Sequence, residues 1–244
     1  MTANANQVSQ EGSRDRAEFQ ADLERLFELS LDLLCVAGSD GYLKRLSPSF
    51  AAVTGYAEAE LLAKPYAEFI HPDDLAVSQQ AIARLQAGEA IANFTNRWVG
   101  KSGAIVWLEW TVTPDTTETG LRLYCAARDI TERKRTETQW LRVQAAVESL
   151  SDAVGIADAT GTPVYLNPAF EATFGYTLEE LIAVGGPVVI YDRPDDRDAV
   201  FARILQGESW VGEVPMRDRR GTRLQIALRA DAIRDETGAI VGLV

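Results

Sequence analysis

The chain has 244 residues, 46% of them apolar, and a formal net charge of −12. That is enough apolar material to bury a core in one or two domains, and an acidic surface repels phosphate backbones, which argues against nucleic acid as a direct partner. No apolar run approaches the length of a bilayer span, and the N-terminal MTANANQVSQEGSRDR lacks the apolar heart of a signal peptide, so the expectation is a cytoplasmic protein or cytoplasmic fragment.

Residues 1–15 are polar and read as a disordered N-terminus. Residues 16–30 read as an amphipathic helix with Phe19, Leu23, Leu26 and Phe27 on one face. Alone, that face would stay wet. It is expected to cover a sheet or to pair with the same helix of a second subunit, which favours a homodimer. Residues 31–130 read as a first domain. Ser39-Asp40-Gly41 is a hairpin signal between two short strands. Pro48 opens a short helix with Ser47 as its cap, and Gly55 ends it. Pro72-Asp73-Asp74 reads as the acidic start of the next helix, which ends at Gly88. Three strands follow. The run Ile105 to Trp110 is apolar on both faces, so its outer face is expected to be covered. Cys35 and Cys125 are far apart in sequence, each in an apolar run, and read as buried reduced thiols rather than a disulfide or metal pair.

The apolar run Leu121 to Ala127 then yields to ARDITERKRTE. Thr131 can cap a helix there, with Glu132 in its favourable first turn. The expected linker helix covers 131–150. Trp140, Val143, Val147 and Leu150 form a narrow stripe on it, but Arg133 and Thr136 occupy the same register upstream. This is a short coiled-coil seam at best, with helix-on-sheet packing in competition.

Residues 151–244 repeat the first domain. SDGYLKRLSPSFAAVTGYAEAELL from Ser39 matches ATGTPVYLNPAFEATFGYTLEELI from Ala159. HPDD at His71 is answered by RPDD at Arg193, LQAGE by LQGE, and Lys101-Ser102-Gly103 by Arg219-Arg220-Gly221. A period this long means a duplicated domain, not a solenoid. Asn167 and Gly175 take the places of Ser47 and Gly55. Leu224, Ile226, Leu228 and Ala230 alternate with polar residues, as in a half-buried strand. The last strand, Gly238 to Val244, has no helix after it, so the second domain is expected to be truncated there and followed by an effector in a longer parent.

The ordered set of NPAF-like, GY, HPDD-like and DIT motifs, present twice up to the DIT, resembles the PAS domain family over nearly the whole chain from Phe27 onward. The resemblance implies an α+β fold: two domains, each a five-stranded antiparallel sheet with short helices on one face, often enclosing a small-molecule pocket. It also implies a non-catalytic signal-sensing and dimerisation module. Asp129, Ile130 and Thr131 would lie at the junction through which sheet distortion moves the outgoing helix. The parent would be a sensor histidine kinase, with a cyclic-dinucleotide enzyme as the second choice. The alternative is a constitutive dimerisation or protein-docking module with no small ligand. Candidate pocket residues are Trp98, Trp110, Tyr191 and Trp210. Flavin–cysteine adduct chemistry is set aside, because 61–70 and 181–190 hold no Cys. Haem on His71, the sole His, is set aside for a local hydrogen bond. A non-covalent flavin beside Trp210 stays open next to simple packing. No metal-like loop is present. Asp73 and Asp74 do not read as an acid–base pair, since adjacent residues at a helix start point apart.

Overall fold

The computed structural model describes residue 16, residues 18–117 and residues 120–244. The stretch 1–15, expected to be disordered, lies outside the described residues. The chain divides into two compact units, Met1–Thr138 and Gln139–Val244.

In the first unit, helix α1 covers 18–29. Then come β1 (Leu33–Gly38), β2 (Leu43–Leu46), α2 (Ser49–Thr54), α3 (Glu58–Leu62), α4 (Leu75–Gln86), β3 (Ile91–Val99), β4 (Ile105–Thr117) and β5 (Gly120–Asp129). The five strands form one antiparallel sheet in the order β2-β1-β5-β4-β3. Strand periodicity sorts the side chains. Leu33, Cys35 and Ala37 of β1, Val106, Leu108 and Trp110 of β4, and Leu123 and Ala127 of β5 are buried in one core with Phe50, Leu61 and Leu85 from the helices. Gly55 is left-handed at φ 75°, and its N–H closes α2 on the Ala51 carbonyl.

Three expectations need adjustment. Ser47 does not cap α2: its Oγ accepts the Leu34 N–H at 2.9 Å, tying the loop to β1 instead. A serine oxygen already committed to a strand amide has little left for the helix. Second, of the two expected uses of the α1 face, burial against the sheet is not seen among the described residues. Phe19, Leu23 and Leu26 are exposed, and only Phe27 is half-buried, with the Arg45 guanidinium 4.5 Å from its ring centre. Third, the two-faced strand β4 is covered by cations and not by an apolar helix. Trp107 points outward, and Arg97 and Lys134 lie 5.5 and 5.9 Å from its ring.

Helix α5 spans Thr131–Glu148. The second unit then repeats the order with β6 (Gly155–Asp158), β7 (Pro163–Leu166), α6 (Pro168–Phe174), α7 (Leu178–Ala183), α8 (Pro194–Leu205), β8 (Trp210–Arg217), β9 (Arg223–Ala230), β10 (Ala232–Arg234) and β11 (Ile240–Leu243). Here the expected single five-stranded sheet is divided. Strands β10-β11-β6-β7 form one sheet and β8-β9 another. The strand containing β9 and β10 changes partner at Asp231, whose N–H and C=O pair with Val244. Phe170, Leu181, Val200, Val214 and Met216 fill this unit's core. Asn167 caps α6 as expected, accepting the Phe170 N–H at 2.9 Å. Among the described residues, no helix is long and apolar enough to cross a membrane.

Candidate functional site

Two places in the first unit combine buried polar groups with connections between elements. The first is a cavity of about 80 Å³ between the inner sheet face and α4. Cys35, Trp98, Trp110 and Cys125 line it from the sheet, and Ser78 from α4; no charged side chain is among its lining residues. A buried chain of hydrogen bonds crosses its wall. Trp110 Nε1 donates to Asn96 Oδ1 at 2.8 Å, and Asn96 Nδ2 donates to Ser78 Oγ at 3.1 Å. This satisfies two side chains that would be costly to bury unpaired, and it couples β3 and β4 to α4. Trp98 stacks on Phe69 with ring centres 5.7 Å apart, while its buried Nε1 has no protein partner. Such a cavity can take a small neutral molecule.

The second place is the exit from the sheet. Beyond the end of β5, both backbone groups of Trp107 continue the ladder onto the next residues. The Ile130 N–H donates to the Trp107 carbonyl, and the Trp107 N–H donates to Thr131 Oγ1, each at 2.9 Å. Asp129 Oδ1 accepts the Thr131 N–H at 2.8 Å, which satisfies a free amide at the start of α5. So the expected cap is reassigned: Asp129 supplies the capping oxygen, and the Thr131 hydroxyl faces β4. Ile130 is buried and Thr131 is 9% exposed, so these bonds are partly shielded from water. Arg133 reaches Glu109 of β4 at 2.8 Å, adding a solvent-exposed tie. Strand β4 and the first turn of α5 are therefore one hydrogen-bonded piece.

A PAS-fold family model matches residues 44–125, and a second PAS-fold model matches residues 141–244. The chain is a tandem of two PAS domains. PAS domains are non-catalytic sensory modules typical of signalling proteins. An uncharacterized protein of Sinorhizobium fredii is 27% identical over 194 residues, covering 75% of this chain and 23% of that protein. The chain thus spans about a quarter of the curated relative it matches. Among solved structures, the PAS domain of an HTR-like protein from Haloarcula marismortui is 26% identical, with 50% of this chain and 99% of that one covered and a TM-score of 0.44. A PAS domain from a two-component sensor histidine kinase is 17% identical, with 47% and 98% covered and a TM-score of 0.41. A domain of a sensory box sensor histidine kinase/response regulator from Geobacter sulfurreducens is 22% identical, with 46% and 96% covered and a TM-score of 0.40.

Of the candidate pocket residues, Trp98 and Trp110 meet in the cavity of the first PAS domain, ring centres 5.6 Å apart. Tyr191 and Trp210 pack on the core of the second and are not among the lining residues of a wider depression beside Gly161 and Phe201 there. Burial pushes the Tyr191 phenol up to about 12. Gly212 makes room for the Trp210 ring, since a Cβ at that position would lie 2.8 Å from it. His71 Nδ1 accepts the Asp73 N–H at 3.3 Å, a local bond at the start of a short 3-10 turn over Pro72–Asp74. Among the described residues, no group of three or more His, Cys, Asp or Glu is placed to hold a metal ion. On α5, Trp140 and Val143 are exposed and Val147 is half-buried; the helix stops at Glu148, short of the expected end, so Leu150 lies exposed beyond it.

Sequence reasoning passed over two features. Asp74 was read as helix-dipole charge, but its carboxylate accepts from the Arg97 N–H at 2.7 Å and from the guanidinium at 2.6 and 3.0 Å. That guanidinium holds the Asp74 carboxyl below the usual range. Asn167 does more than cap: its Nδ2 donates to the Asp152 and Val147 carbonyls, and its Oδ1 also accepts the Val154 N–H. The one local hint was the residue before Pro in both repeats. Ser47 and Asn167 each anchor the strand entering their domain.

Proposed function

We propose that this chain is the signal-sensing and dimerisation region of a cytoplasmic signalling protein. It passes a conformational change from the first PAS sheet to a C-terminal effector, a histidine kinase in the first instance. The observation that carries this reading is the double hydrogen bond between Trp107 and residues Ile130 and Thr131. A change in the twist of β4 cannot leave the first turn of α5 where it was. A ligand in the first domain's cavity, or a partner on the sheet, then biases two sheet–helix arrangements by binding one better than the other. The exposed faces of α1 (Phe19, Leu23, Leu26) and α5 (Trp140, Val143), with Leu150 just beyond the end of α5, supply the homodimer contacts in this reading. The small share of the curated relative that is covered agrees with an effector elsewhere in a longer protein.

The test is Asp129→Ala in the parent kinase. Autophosphorylation that no longer follows the stimulus, with the first domain still folded, supports the reading. Unchanged regulation removes the junction from it. Native mass of the purified chain separates the parts: a dimer that becomes monomeric with Trp140→Glu places dimerisation on α5. A ligand-free dimer with unregulated output would instead support constitutive docking.

A further inference from the structure

The two cysteines of this chain stand 90 residues apart in sequence yet are direct register partners on neighbouring central strands, Cys35 of β1 opposite Cys125 of β5. Both are free thiols and both line the same cavity. We propose that Cys35 and Cys125 form a dithiol site that a small neutral hydroperoxide converts to an intradomain disulfide.

Access and shape select the reagent. The cavity walls carry no charged side chain, and the space of about 80 Å³ admits hydrogen peroxide or a short alkyl hydroperoxide. A bulky charged disulfide such as oxidised glutathione does not fit. The two thiols differ. Cys125 is half-buried, whereas Cys35 is 3% exposed. The neighbouring Cys125 side chain and burial hold the Cys35 thiol well above its usual range. A thiol kept protonated is a poor first nucleophile, so Cys125 attacks and Cys35 resolves. The Cys125 thiolate cleaves the O–O bond, giving a sulfenic acid and an alcohol, or water from hydrogen peroxide. Cys35 sulfur then displaces the hydroxyl, and its proton leaves with that hydroxyl as water. Two thiols lose two electrons in total and the peroxide gains them.

Backbone geometry says what the bond would do. The Leu34 N–H and carbonyl both face the β2 side, toward Ser47. By alternation Cys35 turns its own backbone groups to β5, so Cys35–Cys125 is a hydrogen-bonded pair. Such pairs have Cα atoms about 5.5 Å apart, inside the disulfide range, but Cβ atoms nearer 5.5 Å than the ~3.8 Å a disulfide wants. Closing the bond therefore draws β1 and β5 together locally. Strand β5 reaches Asp129 four residues later. The regulatory consequence, though not the chemistry, rests on the function proposed above.

The test treats the purified chain with hydrogen peroxide, then alkylates and digests it under denaturing conditions. The expected result is a linked Cys35–Cys125 peptide within one chain, reversed by dithiothreitol. It should be lost in Cys125→Ser. In Cys35→Ser, dimedone should trap a sulfenic acid at Cys125. Cross-linking between chains, or full alkylation of both thiols after exposure that oxidises the urea-unfolded chain, overturns the proposal. Trypsin cleavage at Arg133, Lys134 and Arg135 reads the consequence. A several-fold acceleration on oxidation supports control of α5. A disulfide with unchanged cleavage keeps the chemical site and defeats transmission through α5.

Discussion

Replacing Thr131 by Val isolates the bond that joins strand to helix. The two side chains have nearly the same shape, so packing around this residue, 9% exposed, is kept. What is lost is the oxygen that accepts the Trp107 N–H at 2.9 Å. A buried donor left without an acceptor costs about 1–3 kcal/mol. The bond is only partly buried, because Trp107 itself is half-exposed on the outer face. The lower half of that range applies, about 1–2 kcal/mol, or roughly a 5–30-fold rise in the local opening constant. Amide exchange followed by NMR reads this directly. The Trp107 amide should exchange faster by that factor in Thr131→Val, and Thr131→Ser should restore protection. Amides in the centre of β5 should not change. If the Trp107 amide exchanges in the Val variant as in the wild type, the hydroxyl does not hold the junction and the argument fails.

Asn167→Ala should destabilise the second PAS domain by about 2–4 kcal/mol, because it takes the side-chain partner from the Val154 N–H and the Asp152 carbonyl and removes the cap of α6, while the Phe170 N–H and the Val147 carbonyl keep backbone partners; urea unfolding followed by Trp210 fluorescence checks it. The Asp74 carboxyl is lowered by Arg97 in the folded state, so its contribution is present above the unfolded carboxylate range and is lost as pH falls through the folded value. Asp74→Asn should flatten the acid limb of the first domain's stability profile, and an unchanged limb would refute the pairing. Tyr191 shows the opposite sign. With its pKa raised to about 12, its contribution holds below the unfolded value near 10 and disappears as pH rises toward 12; ultraviolet titration should show a late-ionising component that Tyr191→Phe removes, leaving those of Tyr66 and Tyr165, whose phenols burial also raises. Gly212→Ala brings a Cβ to 2.8 Å from the Trp210 ring and should displace it, seen as a red-shifted, weaker Trp emission.

The parts of the fold that the sequence makes legible are those with local chemistry. Gly55 and Gly175 must be left-handed to close their helices, and they sit where the repeat places them. Asn167 caps the helix that Pro168 opens. The Ser47 oxygen was misassigned because its partner, the Leu34 amide, lies thirteen residues back on another strand. The same limit hides the Asp74–Arg97 pair and the opposition of Cys35 to Cys125, both of which depend on register between distant segments. The division of the second sheet at Asp231 is invisible for a related reason. Apolar alternation runs on toward Asp231 without a break, while the change of partner depends on pairing with a distant segment. At the junction, the Asp129-Ile130-Thr131 stretch marks the strand–helix boundary, but which oxygen caps and which holds β4 depends on side-chain direction.

The most direct test of the account is hydrogen exchange along α5 in the intact chain, wild type against Asp129→Ala. Asp129 Oδ1 is the acceptor for the first helical amide. Faster exchange over the first two turns, with β1 and β5 keeping their protection, is the result predicted for a junction that controls the helix. Equal protection of α5 in both proteins, or loosening of the whole sheet together with it, would contradict the claim that the first PAS sheet acts on α5 through these residues.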